Sequence, residues 1–141
     1  MRIFIILIFV GFLSSVLYTP AYAGRKARCF VASWYDDESL KKEGTWARTS
    51  GIMANGFRYD SSNFTCASWD WPIGSCLIVR AVGSHRFCVV RVTDRTARRF
   101  AGKRIDLSVA AFQALGDLDQ GVIKVEVEEI AKPTGAERIK K

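Results

Sequence analysis

The stretch FCVVRVTDRTARRFAGKRIDLSVAAFQAL, residues 87–115, holds most of what decides the fold. It opens as a strand: Cys88, Val90 and Val92 share one face and Arg91 lies opposite. Asp94 continues the inward parity, and a carboxylate there is costly unless it is hydrogen-bonded or open to a cleft. An Arg-rich loop carrying Arg95, Arg98, Arg99 and Arg104 follows. Asp106 then opens the approach to a short helix, with Ser108 as N-cap, Val109, Phe112 and Leu115 along one face, and Gly116 as the stop. Two aspartates on either side of a basic loop are candidates for acid/base or sugar-binding chemistry.

Working outward, Cys76–Val82 and Arg86–Thr93 form an expected hairpin around Gly83-Ser84-His85, with Leu77, Val79 and Ala81 on one face and Arg80 on the other. Cys29–Tyr35 has the β-branched and aromatic content of a strand. Gly121–Ile130 alternates Ile123, Val125 and Val127 with Lys124, Glu126 and Glu128, a period of two. Asp36–Gly44 reads as a charged turn. Thr45–Pro72 reads as loops and short irregular strands, and all four tryptophans (Trp34, Trp46, Trp69, Trp71) fall between residues 34 and 71. Several short strands and so little helix predict a small β-barrel rather than a wound α/β fold, because a parallel sheet needs helices on both faces.

The first residues are set apart. Arg2, the apolar run Ile3–Tyr18 and the small-x-small triplet Ala21-Tyr22-Ala23 form a signal peptide, residues 1–23. The apolar run is shorter than the roughly 20 residues of a spanning helix, so the expected location is exported: periplasm, cell envelope or secreted. Residues 24–131 make one domain, and residues 132–141 a flexible basic tail. The chain carries 21 basic against 14 acidic side chains, an excess that favours an anionic wall polymer or membrane surface; nucleic acid is excluded for an exported protein. Cys29, Cys66, Cys76 and Cys88 are an even set in an oxidising compartment and predict two disulfides, with three connectivities open. No C-x-x-C pair accompanies the single His85, so neither a metal nor another cofactor is expected.

Successive blocks then resemble a known family. Ala32-Ser-Trp-Tyr35, Ala54-Asn-Gly56, Thr65-Cys-Ala-Ser68, Trp71-Pro-Ile-Gly74, Val89-Val-Arg-Val-Thr-Asp-Arg95 and Arg104-Ile-Asp-Leu-Ser108 are similar, in order and spacing, to the RlpA-like double-psi β-barrel. The resemblance covers residues 30–130 and implies a mainly β protein, a small six-stranded double-psi β-barrel with one or two short helices. It also implies an envelope protein acting on peptidoglycan glycan strands, as an endolytic lytic transglycosylase that cleaves without hydrolysis. Expansins, which loosen wall polymers, and some endoglucanases share the barrel.

Two positions depart from the family pattern. After Asn55-Gly56 the family's glutamate is replaced by Phe57, and its histidine after the Thr-Ala-Ala block is replaced by Ser68. Asp94 is kept, and Asp94 with Asp106 matches the aspartate pair of expansins, in whose glycosidase relatives the second corresponds to the proton donor. The catalytic candidates are therefore Asp94 and Asp106. Trp34, Tyr35, Trp69 and Trp71 are candidates to stack on sugar faces, and Ser68 is a candidate hydrogen-bond donor to substrate. Three readings stay open: a lytic transglycosylase with a partly degenerate site, a non-catalytic expansin-like binder, and a secreted protein-binding effector. A monomer is expected in each.

Overall fold

The computed structural model describes residues 26–42, 44 and 49–130. The signal segment, the basic tail and Trp46 lie outside the described residues. The chain runs β1 (Arg28–Tyr35), α1 (Asp37–Lys42), β2 (Thr65–Ala67), β3 (Cys76–Ala81), β4 (Phe87–Asp94), a 3-10 turn (Arg98–Phe100), β5 (Arg104–Ser108), α2 (Val109–Leu115), a second 3-10 turn (Leu118–Gln120) and β6 (Val122–Glu129).

The six strands close into a barrel in the order β1-β5-β2-β4-β3-β6. Closure leaves no free sheet edge. Two pairs are parallel, β1 with β5 and β2 with β4; the other four are antiparallel. The expected fold class is borne out.

Strand parity fills the interior as the alternation dictates. Leu77 and Val79 of β3, Val90 and Val92 of β4, Ile105 and Leu107 of β5, and Val125 and Val127 of β6 are all essentially inaccessible. Phe112 of α2, also fully buried, plugs the core from outside the sheet. The hairpin turns where expected, at Gly83, whose φ of 77° suits a residue without Cβ. Ser108 caps α2 by accepting the Ala111 N–H at 3.4 Å and donates to the Asn63 carbonyl at 2.5 Å.

Several expectations are corrected. Residues 36–44 contain a helix, α1. Asp36 and Ser39 cap each other reciprocally, with Ser39 N–H to Asp36 Oδ1 at 2.7 Å and Asp36 N–H to Ser39 Oγ at 3.0 Å. Acidic Asp37 and Glu38 in the first turn and basic Lys41 and Lys42 in the last suit the helix dipole. Asp106 lies inside a strand rather than on an approach to a helix, because β5 pairs with β1 over the whole of Arg104–Ser108. Gly116 ends α2 in extended backbone, not in a left-handed cap. A Cβ there would lie 2.5 Å from Gln120 Oε1, which accepts the Asp117 N–H.

The two disulfides are absent: all four cysteines are free. Cys66 and Cys88 are buried inside the barrel, whereas Cys29 is exposed and Cys76 half-buried. Cys66 pairs with Val92, four residues along β4 from Cys88, a separation of about 13 Å at the strand rise, beyond the roughly 7 Å a disulfide spans. Cys29 and Cys76 sit on strands separated by β6 and in registers four residues apart.

Candidate active site

The site is built on a single irregularity. Strand β2 pairs with β4 in register until a shift between Cys66 and Ala67: Cys66 faces Val92, but Ala67 faces Asp94. Thr93 is the extra residue of a β-bulge, a device that re-aims side chains. The bulge overturns the inward parity expected for Asp94 and puts its carboxylate on the outer wall. Directly opposed residues share a face, and Ala67 also opposes Asp106, which opposes Ser33. Ser33, Asp106, Ala67 and Asp94 thus form one transverse row across β1, β5, β2 and β4. With strands about 4.8 Å apart, the two aspartate Cα atoms are about 10 Å apart. Ala67 between them leaves the gap open.

Asp106, Ala67 and Asp94 of this row floor a groove of about 430 Å³, whose walls include Trp34, Tyr35, Met53, Tyr59, Arg95 and Arg104. Asp94 accepts the N–H groups of Arg95 (2.8 Å) and Ala54 (3.0 Å), both at Oδ1. Burial raises its pKa above the ordinary carboxylate value, against those two bonds and the Arg95 charge, which lower it. Asp106 is held differently. Its Oδ1 accepts from Ser33 Oγ and from Arg104 Nε at 2.6 Å, and Arg104 Nε also reaches Ser33 Oγ at 2.6 Å. One carboxyl is desolvated and the other ion-paired.

Tyr35 completes the groove. Its ring packs against Tyr59 at 4.7 Å, and Tyr59 Oη donates to the Tyr35 carbonyl at 2.6 Å. Its own hydroxyl is buried without a hydrogen-bond partner among the described residues. Burial pushes the Tyr35 pKa far up, and the nearby negative charges of Asp94 and Asp106 add to it. A buried phenol that stays protonated beside two carboxyls is a donor available to a ligand.

The remaining candidates divide. Trp34 lines the groove, anchored by Nε1–H to the Leu118 carbonyl at 3.0 Å. Trp71 is core, packed on Phe30 at 5.2 Å. Trp69 is partly exposed but does not line the groove; its Nε1–H is bonded to the Thr96 carbonyl at 2.6 Å, with Arg98 and Arg95 over its ring. Ser68 is fully buried; its Oγ accepts the Asp70 N–H and its carbonyl accepts from Arg95, so it does not face substrate. The sequence reading missed Ser33, Ala67, Met53 and Tyr59. Ser33 alone had a signal, an outward polar residue between the inward Ala32 and Trp34.

A closed six-strand barrel with two parallel pairs and a carboxylate groove on its outer wall defines a double-psi β-barrel. A family model described as lytic transglycolase matches residues 27–127. The chain belongs to this RlpA-like lytic transglycolase family. It is 39% identical over 100 residues to the endolytic peptidoglycan transglycosylase RlpA of Neisseria meningitidis, covering 70% of this chain and 37% of that one. It is 37% identical over 113 residues to the protein of the same name from Haemophilus influenzae, covering 77% of this chain and 36% of that one. The chain thus spans little more than a third of these relatives' length. Among solved structures, the Streptomyces papain inhibitor (SPI) superposes with a TM-score of 0.56 at 24% identity, covering 78% of this chain and 98% of the other. A point mutant of the Clavibacter michiganensis expansin, in complex with cellohexaose, gives 0.54 at 20% identity, covering 78% of this chain and 53% of that one. These two likenesses concern the fold alone.

Proposed function

We propose that this barrel acts in the cell envelope on peptidoglycan glycan strands and cleaves them by non-hydrolytic transglycosylation in the Asp94–Asp106 groove. The observation that carries the reading is the transverse row: a desolvated carboxyl and an ion-paired one facing each other across Ala67. Family membership and the names of the relatives point to the same polymer. No helix among the described residues is long and apolar enough to cross a membrane.

In this scheme protonated Asp94 gives its proton to the departing glycosidic oxygen, and the bond from that oxygen to the sugar's anomeric carbon breaks. The C6 hydroxyl of the same sugar closes on the anomeric carbon, forming a 1,6-anhydro ring, and its proton returns to Asp94. No water is consumed. Asp106, held by Arg104 and Ser33, faces the positive charge that develops on the sugar ring. Digestion of stem-peptide-free glycan strands yields anhydromuramyl ends by mass spectrometry, and Asp94→Asn or Asp106→Asn abolishes them. No anhydro product from the unmodified chain at high concentration refutes the enzyme.

A second reading has one observation in its favour. Phe57 stands exposed where the family has a glutamate, and Ser68 is buried where it has a histidine. A non-catalytic wall-polymer binder would use the same groove, and co-sedimentation with insoluble peptidoglycan in the absence of any cleavage product identifies it.

A further inference from the structure

The bulge at Thr93 serves a second cavity. Next to the aspartate groove lies an open depression lined by Asp37, Phe57, Tyr59, Thr65 and Thr93 among others, with Met53 and Tyr59 shared as a common wall. Asp94 faces one groove and its chain neighbour Thr93 the other.

Buried polar side chains are normally paired. Among the described residues, four buried side-chain oxygens or nitrogens have no hydrogen-bond partner: Tyr35 Oη, Asp37 Oδ1, Thr65 Oγ1 and Thr93 Oγ1. All four line these two grooves, three of them the second one. Thr93 is only 4% exposed, so its hydroxyl is desolvated with no group among the described residues to compensate it. In contrast, Phe57 stands 71% exposed on the same depression, held there by the bond from its N–H to Asn55 Oδ1 at 3.0 Å. A flat apolar ring beside unpaired hydroxyls is the chemistry that binds a sugar: one face stacks, and the hydroxyls or an acetamido group exchange hydrogen bonds. Asp37 and Asp60 outnumber the one cation of the same lining, Arg58, and that balance favours a neutral ring over an anionic one.

We propose that this depression is a subsite for a neutral sugar, of the N-acetylglucosamine type, adjoining the unit held at Asp94 and Asp106. Phe57 is its platform, and Thr93, Thr65 and Asp37 are its polar partners. The substitution that removes a glutamate from the family pattern thereby supplies a stacking surface. This rests on the reading that the first groove takes a glycan strand.

The test is calorimetric binding of chitobiose and chitohexaose to the intact chain and to its Phe57→Ala, Thr93→Val and Thr65→Val variants. Phe57→Ala weakens chitohexaose roughly five- to tenfold, the scale of one stacking contact, and weakens chitobiose, whose second unit reaches the same depression, by a similar factor. Thr93→Val replaces an unpaired hydroxyl with a methyl of the same shape, so it weakens chitohexaose while the melting temperature holds or rises. Unchanged chitohexaose affinity in all three variants overturns the subsite while leaving the first groove's reading intact. A lower melting temperature in Thr93→Val also overturns it, since the hydroxyl would then be structural. No binding of either oligomer to the unmodified chain overturns subsite and glycan reading together.

Discussion

Replacing Asp94 separates its chemical role from its structural one. Asp94 Oδ1 accepts the N–H groups of Ala54 and Arg95, and through Ala54 it ties the loop that roofs the groove to the end of β4. Asparagine keeps an acceptor oxygen at that position, and alanine does not. Loss of the acceptor leaves the partly buried Arg95 N–H unpaired, at about 1–3 kcal/mol, while the exposed Ala54 N–H finds water at smaller cost. Asp94→Ala is thus expected to lose about 2–3 kcal/mol, or about 10–20 °C in melting temperature for a domain of this size. Asp94→Asn exchanges two charge-assisted bonds for neutral ones but also sheds the cost of a buried charge, and the two nearly cancel. The balance depends on pH. Because burial raises the Asp94 pKa above 3.8, its favourable contribution is complete below that value and is lost as pH rises through the folded-state pKa. The stability of Asp94→Asn relative to the parent therefore improves as pH rises from 3.8 through the raised folded-state pKa and then levels off. Calorimetric melts of parent, Asn and Ala chains across that range measure all three expectations. An Asn variant as unstable as the Ala variant, or a parent–Asn difference that does not move with pH, refutes the reasoning. Both variants are expected to lose glycan cleavage, and cleavage by the parent falls as pH rises through the same pKa.

Tyr35→Phe removes a buried hydroxyl that has no partner among the described residues, so the melting temperature is expected to hold or rise by the equivalent of about 1 kcal/mol; cleavage drops about tenfold or more, in kcat rather than KM, measured by reducing-end release. Asp36→Ala takes away the reciprocal cap of α1 and costs about 0.5–2 kcal/mol, with faster amide exchange confined to Asp37–Lys42. The Ser39 hydrogen bonds lower the Asp36 pKa, so its stabilisation is present above 3.8 and is lost as pH falls through the depressed value. Phe112→Ala opens a cavity under α2 in a fully buried position and is expected to cost about 3–5 kcal/mol, read from urea denaturation.

What was legible in the sequence is what periodicity encodes. Strands β3, β4 and β6 alternate over six to eight residues, long enough for the period of two to stand out, and Ser108 announces α2 by cap chemistry. Strands β2 and β5 have three and five residues and exist because their neighbours complete them. Thr65-Cys-Ala67 carries no pattern of its own, and Arg104–Ser108 reads as the prelude to a helix until β1 is placed beside it. An even cysteine number reflects the chemistry of a compartment, whereas pairing depends on distances that only the assembled barrel defines. The aspartates were visible as residues, but their shared face was not. Asp94 seen alone counts inward with Val90 and Val92.

The face of Asp94 is set by a strand more than twenty residues earlier in the chain. Bulges are uncommon between parallel strands, and no local feature of Val92-Thr93-Asp94 marks one. Only the pairing of Ala67 with both Asp94 and Asp106 requires it. The barrel can therefore keep an uninterrupted apolar interior through Val92 while presenting two successive polar residues, Thr93 and Asp94, on neighbouring grooves. An unbulged β4 would drive the Asp94 carboxylate into the core, where an unpaired charge costs several kcal/mol. The inserted residue removes that penalty and aligns Asp94 with Asp106 in the same step, so the irregularity that hides the site from a reading of the sequence is also what creates it.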